Sequence, residues 1–260
     1  MTFQIFKKKI YKTYEDAKLF IKKDNIYFSK DYIKRNVKKL NLQVKKKNYY
    51  DFEYSFLKFL DTILILNKNK FNLLDYGGGL GNTILEIYLK DLFKNNLRIS
   101  LYDLNVDFVN YSEKFLKKTI KKDIYKKIIF IKDSKHLRKK YDAIHFGSMF
   151  EYVYDEEVFF KNIFSQILNK PKFLFFSDVY VTNPKKKDFY CVGNYYSQNY
   201  IVKFHNLKRL IIMLDKKGYK LVDKRKFLPN IHSQYKFYNM SNLPKVNRIF
   251  YTMNLTFIKK

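Results

Sequence analysis

The chain has no tryptophan, one cysteine, four prolines and only seven glycines in 260 residues. A lone cysteine, Cys191, excludes an internal disulfide, and with no CxxC partner or neighbouring histidine it offers no metal site. A reducing compartment is the expectation that follows. Long apolar runs are missing too. The most apolar segment, Phe56 to Leu66, is interrupted by Lys58 and Asp61 and is too short to span a bilayer. Met1 to Tyr14 lacks the apolar run and cleavage site of a signal peptide, so we expect a soluble, cytoplasmic protein.

Arginine is scarce as well. It supplies six of the 53 basic residues, although the net charge is +29. Lys, Asn, Ile, Tyr and Phe abound while Ala, Gly and Pro are few, the usage that an A/T-rich coding sequence produces. The charge therefore reads mainly as composition spread over solvated faces. Phosphate and guanine are best gripped by the bidentate guanidinium, so the shortage of Arg disfavours a nucleic-acid partner. Lysine can still act as a point charge towards anionic substrates. With 47% apolar residues there is ample material for a core.

Four of the seven glycines, 77, 78, 79 and 81, fall within five consecutive positions, directly after the apolar run Phe71 to Tyr76. Glycine permits positive φ and lets backbone approach a ligand with no Cβ in the way. A strand, an acid, a glycine turn and a helix in succession are how an α/β sheet offers a nucleotide site at its carboxyl edge. The rhythm continues. Strands are predicted at Arg98 to Tyr102, Lys127 to Ile131, Tyr141 to Phe146 and Lys172 to Val179. Helices are predicted between them at Asn82 to Phe93, Val106 to Ile120 and Glu156 to Leu168, which implies parallel pairing with right-handed crossovers.

The flanks read differently. Residues 1 to about 48 are expected to be short helices with no strand, at Tyr14 to Lys22 after an N-cap at Thr13 and at Lys30 to Leu40. A further helix, Tyr50 to Leu66, has a strong apolar face. Val181 to Phe204 shows no clear period and is expected to be a functional loop or lid. Asn206 to Lys217 is a helix, and Lys220 to Phe227 with Arg248 to Ile258 forms a closing antiparallel pair. The lysine clusters at 7 to 9, 45 to 47 and 185 to 187 are expected in solvated loops.

Asp75-x-Gly77-x-Gly79-x-Gly81 departs from the dinucleotide fingerprint GxGxxG, because its third glycine comes two residues after the second. That spacing disfavours a nicotinamide cofactor. With the leading acid, the pattern resembles the nucleotide loop of Rossmann-like (class I) S-adenosylmethionine-dependent methyltransferases, over roughly residues 71 to 258. The resemblance implies a seven-stranded, mostly parallel sheet with an antiparallel final strand. It divides the chain into an N-terminal helical cover, 1–66, and a methyltransferase domain, 67–260. It implies S-adenosylmethionine as cofactor, with Gly77, Gly79 and Gly81 cradling the methionine and ribose portion and Asp75 ordering the turn. Asp103 would accept from the two ribose hydroxyls, or else cap the next helix. Asp133, with Ser134 beside it, would take the adenine amino group, or else serve as a turn residue. His145 to Phe150, Ser148 among them, would flank the sulfonium.

A narrower resemblance rests on Thr13-Tyr14-Glu15-Asp16-Ala17, Tyr27, Ile33, the triple glycine and Gly147-Ser148-Met149-Phe150-Glu151-Tyr152. These look like a methyltransferase family commonly associated with bacterial surface-polysaccharide genes, whose members more often carry Gln where this chain has Glu151. It implies O-methylation of a small-molecule or saccharide acceptor. Methyl transfer needs an in-line approach, a dry pocket and, for a hydroxyl, a base. The candidate bases are Glu151, Asp178 and His145; His205 precedes a helix and reads as a cap or surface residue. Tyr190, Tyr195, Tyr196 and Tyr200 would stack on an acceptor or simply pack. Rival readings are an RNA methyltransferase and a non-catalytic nucleotide-binding module in a glycan-assembly complex.

Overall fold

The computed structural model describes residues 4–21, 30–46, 55–67, 69–93, 96–182, 186–195, 198–227, 238–239, 243–244, 247 and 252–260. Chain order begins with β1 (Gln4–Tyr11), α1 (Tyr14–Lys18), α2 (Lys30–Lys46) and α3 (Ser55–Leu66). Next come β2 (Phe71–Tyr76), α4 (Asn82–Leu89), β3 (Leu97–Tyr102), α5 (Val106–Thr119), α6 (Lys122–Tyr125), β4 (Ile128–Ile131) and β5 (Ala143–Gly147). They are followed by α7 (Glu156–Gln166), β6 (Phe173–Val179), β7 (Val181–Thr182), β8 (Phe189–Tyr195) and β9 (Gln198–Asn206). The chain closes with α8 (Leu207–Lys216), β10 (Tyr219–Phe227), β11 (Tyr238–Asn239) and β12 (Thr252–Lys259). Parts of the expected elements, including Lys22, Tyr50 to Glu53 and Arg248, and also Tyr27 and Tyr196, lie outside the described residues.

Seven strands form one sheet in the order β10-β12-β6-β5-β2-β3-β4. Every pairing from β6 to β4 is parallel, and β12 is inserted antiparallel between β6 and β10. The α/β class and the mostly parallel seven-stranded sheet are thus as expected from the sequence. Successive side chains of a strand alternate between faces. Leu73, Ile99 and Phe175 point to the side covered by α3, α4 and α5, where Phe56, Leu60, Ile84 and Leu116 meet them. Leu74, Ile144, Phe146 and Phe176 point to the side covered by α7 and α8, with Phe160 and Leu214. Burial on both faces explains why β6 opens on the apolar run Phe173 to Phe176, with no polar alternation.

Two expectations are corrected. The amino-terminal segment is not wholly helical, because Gln4–Tyr11 is a strand pairing antiparallel with β8. Its lysines hid it. Lys7 and Lys9 face solvent within the strand, so the cluster at 7 to 9 lies in β1 and not in a loop. The described residues between 181 and 204 are likewise not a loop. They hold β7, β8 and β9 in a second, five-stranded sheet of order β11-β1-β8-β9-β7. Phe189, Cys191, Val202 and Phe204 fill one of its faces, while Tyr190, Val192 and Ile201 pack with Tyr11, Ala17 and Ile21 on the other. With both faces covered, no polar alternation remains to be read.

Cys191 lies fully inside this sheet, and burial pushes its thiol pKa up. The native protein is expected to leave an aromatic disulfide reagent unreacted and to release one equivalent of thiolate once unfolded. Among the described residues, no helix is long and apolar enough to cross a membrane.

Candidate functional site

The glycine turn follows β2 at the carboxyl edge of the parallel sheet. Gly77 and Gly78 donate their N–H groups to the Tyr102 carbonyl at 2.8 and 3.1 Å, folding the turn over the end of β3. Gly77, Gly79 and Gly81 take φ of +72°, +54° and +81°, a region that L side chains disfavour. At Gly79 a Cβ would meet no atom within 4 Å, so the turn presents bare backbone to open space. Gly77 faces Met149, whose Cγ would lie 2.9 Å from an added Cβ, and this brings the segment after β5 against the turn.

Gly78, which the sequence reading passed over, is required for a different reason. A Cβ there would stand 2.7 Å from Asp75 Oδ2. Asp75 is buried beneath the turn with Oδ1 2.9 Å from His145 Nδ1, and His145 Nε2 lies 2.9 Å from Ser177 Oγ. These three side chains stand on adjacent strands β2, β5 and β6, on the face covered by α3, where the Phe56 ring stacks on His145 at 4.0 Å. Asp75 and His145 have no side-chain exposure, and Asp75 Oδ2 has no hydrogen-bond partner among the described residues. His145 therefore orders the acid under the glycine turn and does not open onto the edge.

Asp103 follows β3 and faces the turn. Its Oδ2 accepts from Gly79 N at 2.9 Å and its Oδ1 from Asn105 N at 2.8 Å. The cap of α5 is Asn105, which accepts from Asp107 N, so Asp103 is not that helix's N-cap. Burial pushes Asp103 up to about 6, against the two backbone N–H bonds that favour its charged form and with help from the charge on Asp75. Asp133 sits exposed at the end of β4 and accepts from Lys135 N at 2.9 Å, opening the 3-10 turn that begins at Ser134.

The third part of the edge lies after β5 and at the end of β6. Ser148 and Asp178 both adopt positive φ, +45° and +61°, costly for residues with a Cβ. Ser148 Oγ donates to Asp178 Oδ2 at 3.3 Å, and Ser148 N donates to the Ser177 carbonyl at 3.0 Å. Thr252 Oγ1 donates to Asp178 Oδ1, while Asn254 Oδ1 accepts from Asp178 N at 2.9 Å, so β12 holds this acid in place. Glu151 lies buried in the 3-10 turn Phe150–Tyr152. Its Oε2 has no partner among the described residues, and burial, then the charge of Asp178, drives its carboxyl well above the usual range.

The structure thus brings together Asp75, Gly77, Gly79, Gly81 and Asp103 on one side, and Ser148, Glu151 and Asp178 on the other, with Met149 between them. His205 is neither a cap nor a surface residue. It is fully buried between Phe150 and Glu156, while Asn206 caps α8.

No protein-family model matches the chain, and no curated protein matches its sequence. Solved structures do match. Magnesium protoporphyrin IX methyltransferase from Synechocystis PCC 6803, with bound SAH, superposes with a TM-score of 0.51 at 13% identity, over 80% of this chain and 83% of that one. A glycopeptide N-methyltransferase gives 0.52 at 8% identity, over 80% and 90% of the two chains. An S-adenosylmethionine-dependent methyltransferase from Clostridium acetobutylicum ATCC 824 gives 0.50 at 13%, over 87% and 99%. At these identities the likeness is one of fold: this chain has the α/β fold of S-adenosylmethionine-dependent methyltransferases.

Proposed function

We propose that this protein is a methyltransferase that uses S-adenosylmethionine to methylate a hydroxyl of a small-molecule or saccharide acceptor. The observation that carries the reading is the bare turn at Gly79 with the Asp103 carboxylate bonded to it, set against the buried acids after β5 and at the end of β6. The residues fit the cofactor. A cradle that a Cβ would fill and an acceptor-only carboxylate suit the methionine end and ribose hydroxyls of a nucleoside. Asp133 and Ser134, at the end of the next strand, suit the adenine. When bound, S-adenosylmethionine supplies an electrophilic methyl group on a sulfonium.

The rest is work for this chain's own residues. A hydroxyl acceptor must lose its proton as its oxygen is methylated, and Glu151 Oε2, buried and without a partner among the described residues, is the atom we assign to receive it. The burial that raises its pKa makes the ionised carboxyl a stronger base than an exposed glutamate. Asp178, fixed by Ser148 and Thr252, orients the edge and keeps Glu151 basic. His145 and Asp75 hold the turn from beneath. We read 67–260 as the catalytic domain, in a cytoplasmic protein of surface-glycan biosynthesis, on the strength of the sequence motifs.

Glu151→Gln is expected to cut turnover on a hydroxyl-bearing saccharide by about a hundredfold or more, the usual size of a general-base contribution, while leaving cofactor affinity unchanged. Transfer of labelled methyl to a saccharide panel measures this, and equal rates in the two proteins would remove Glu151 from the chemistry. A pH effect follows from Asp103. Its pKa is raised by burial, so its contribution to stability is present below about 4 and lost as pH rises through about 6. Cofactor binding runs the other way, since the ribose hydroxyls need the charged form. Affinity for S-adenosylhomocysteine is expected to be flat above pH 7, to fall about tenfold per unit below about 6, and to lose this limb in Asp103→Asn.

A further inference from the structure

Two side chains of β9 grip the segment that carries Glu151. His205 and Lys203, two positions apart and on one face, are both buried. His205 Nε2 lies 2.9 Å from the Phe150 carbonyl oxygen, an atom that can only accept, so Nε2 carries a proton. His205 Nδ1 lies 2.8 Å from Glu156 Oε1. Burial favours the neutral form of Glu156, yet the bonds from His205 and Lys203 outweigh it and hold this carboxyl well below the usual range. The same oxygen takes Lys203 Nζ at 2.8 Å and the Arg209 guanidinium, both of which can only donate, so it too accepts. A ring whose two nitrogens both face acceptors must carry both protons.

Lys203 repeats the pattern. Its Nζ donates to the Tyr154 carbonyl at 2.9 Å and to Glu156 Oε1 at 2.8 Å, and it stands 3.3 Å from Asp188 Oδ2. Arg209 of α8 closes the cluster with bonds to Glu156 and Asp188. Phe150, Tyr154 and Glu156 are thereby tied to the second sheet, and Glu151 lies between the tied points. Buried ion pairs are a poor route to stability, since apolar side chains of similar volume usually do as well. What this cluster supplies beyond stability is a fixed position for one stretch of backbone.

We propose that His205, held as a buried imidazolium by the Phe150 carbonyl and Glu156, is a positioning residue for Glu151. Through Phe150 it sets where the Glu151 carboxyl sits relative to Asp178. Glu156 and Asp188 favour the charged ring, while Lys203 and Arg209 oppose it. A neutral ring has one donor and could hold only one of Phe150 and Glu156. The tie itself stands on geometry alone; its bearing on catalysis rests on the methyl-transfer reading above.

The test uses the full chain with nitrogen-15 histidine and carbon-13 glutamate, which hold four histidines and, by count, seven glutamates to resolve. His205→Gln and Glu151→Gln assign the signals. Both ring nitrogens of His205 should be protonated at pH 7.5, and the Glu151 titration midpoint should move by about one unit or more in His205→Gln, with affinity for S-adenosylhomocysteine changed less than about twofold. Lys203→Met, which removes the Lys203 bond to the Tyr154 carbonyl and leaves that of Tyr190, should move the same midpoint and serves if His205→Gln does not fold. A singly protonated His205 ring, or a Glu151 titration unmoved in the folded variants, overturns the proposal. Should the NMR results hold while no sulfur nucleotide binds, the methyl-transfer reading fails and the tie stands.

Discussion

Replacing His145 by leucine is expected to cost about 3–5 kcal/mol of stability, because it strands a buried carboxylate without its partner. Asp75 and His145 have no side-chain exposure, and Asp75 Oδ2 already lacks a hydrogen bond among the described residues, so the loss of the His145 bond leaves neither oxygen satisfied. Removal of the Phe56 stack adds to the loss. Against a typical domain stability of about 5–15 kcal/mol this is a large fraction. Ser177→Ala deletes only the outer bond of the chain and should cost about 1 kcal/mol. Denaturant midpoints of the two variants measure the contrast. Equal, small losses would show that His145 is a packing residue and not the partner that satisfies Asp75.

Asp103→Ala is expected to weaken S-adenosylhomocysteine binding by at least about a hundredfold, with the fold retained. Hydrogen bonds to a charged acceptor contribute about 1.5–3 kcal/mol each, and two ribose hydroxyls would lose theirs together. The same change also removes the acceptor that Gly79 N uses, so the turn loses its support at 2.9 Å. Because Asp103 is only partly buried and sits outside β3, the sheet itself should survive. Calorimetric titration alongside circular dichroism separates the two effects. Affinity within about threefold of the parent would show that the carboxylate does not recognise the nucleotide.

How much was legible depended on where the stabilising partners lie. From Phe71 to Val179 each element carries its own signal: an apolar run, an acid or glycine at its end, then helical spacing. The sheet and the glycine turn were therefore readable. Gln4–Tyr11 was not, because Lys7 and Lys9 broke its pattern and its partner, β8, lies far along the chain. The stretch β8 to β9 is buried on both faces, which erases the alternation that marks a strand.

The same distinction runs through the site. Gly77, Gly79 and Gly81 announce themselves by spacing, and all three take positive φ. Gly78 matters through the Asp75 carboxyl beneath it, whose position is set by His145, 70 residues away. His205 looked like a helix cap because Asn206, its neighbour, is the cap. Its partners Phe150 and Glu156 are 55 and 49 residues upstream, and only the fold brings them into reach.

The central claim is that the turn around Gly79 and Asp103 is a sulfur-nucleoside site. Calorimetric titration of the unmodified protein at pH 7.5 with S-adenosylmethionine, S-adenosylhomocysteine and NAD tests it most directly. Both sulfur nucleosides should bind one per chain at micromolar dissociation constants, about −8 kcal/mol, and NAD should give no saturable heat. Absence of binding by both sulfur nucleosides, or saturable binding of NAD at the same affinity, would contradict it.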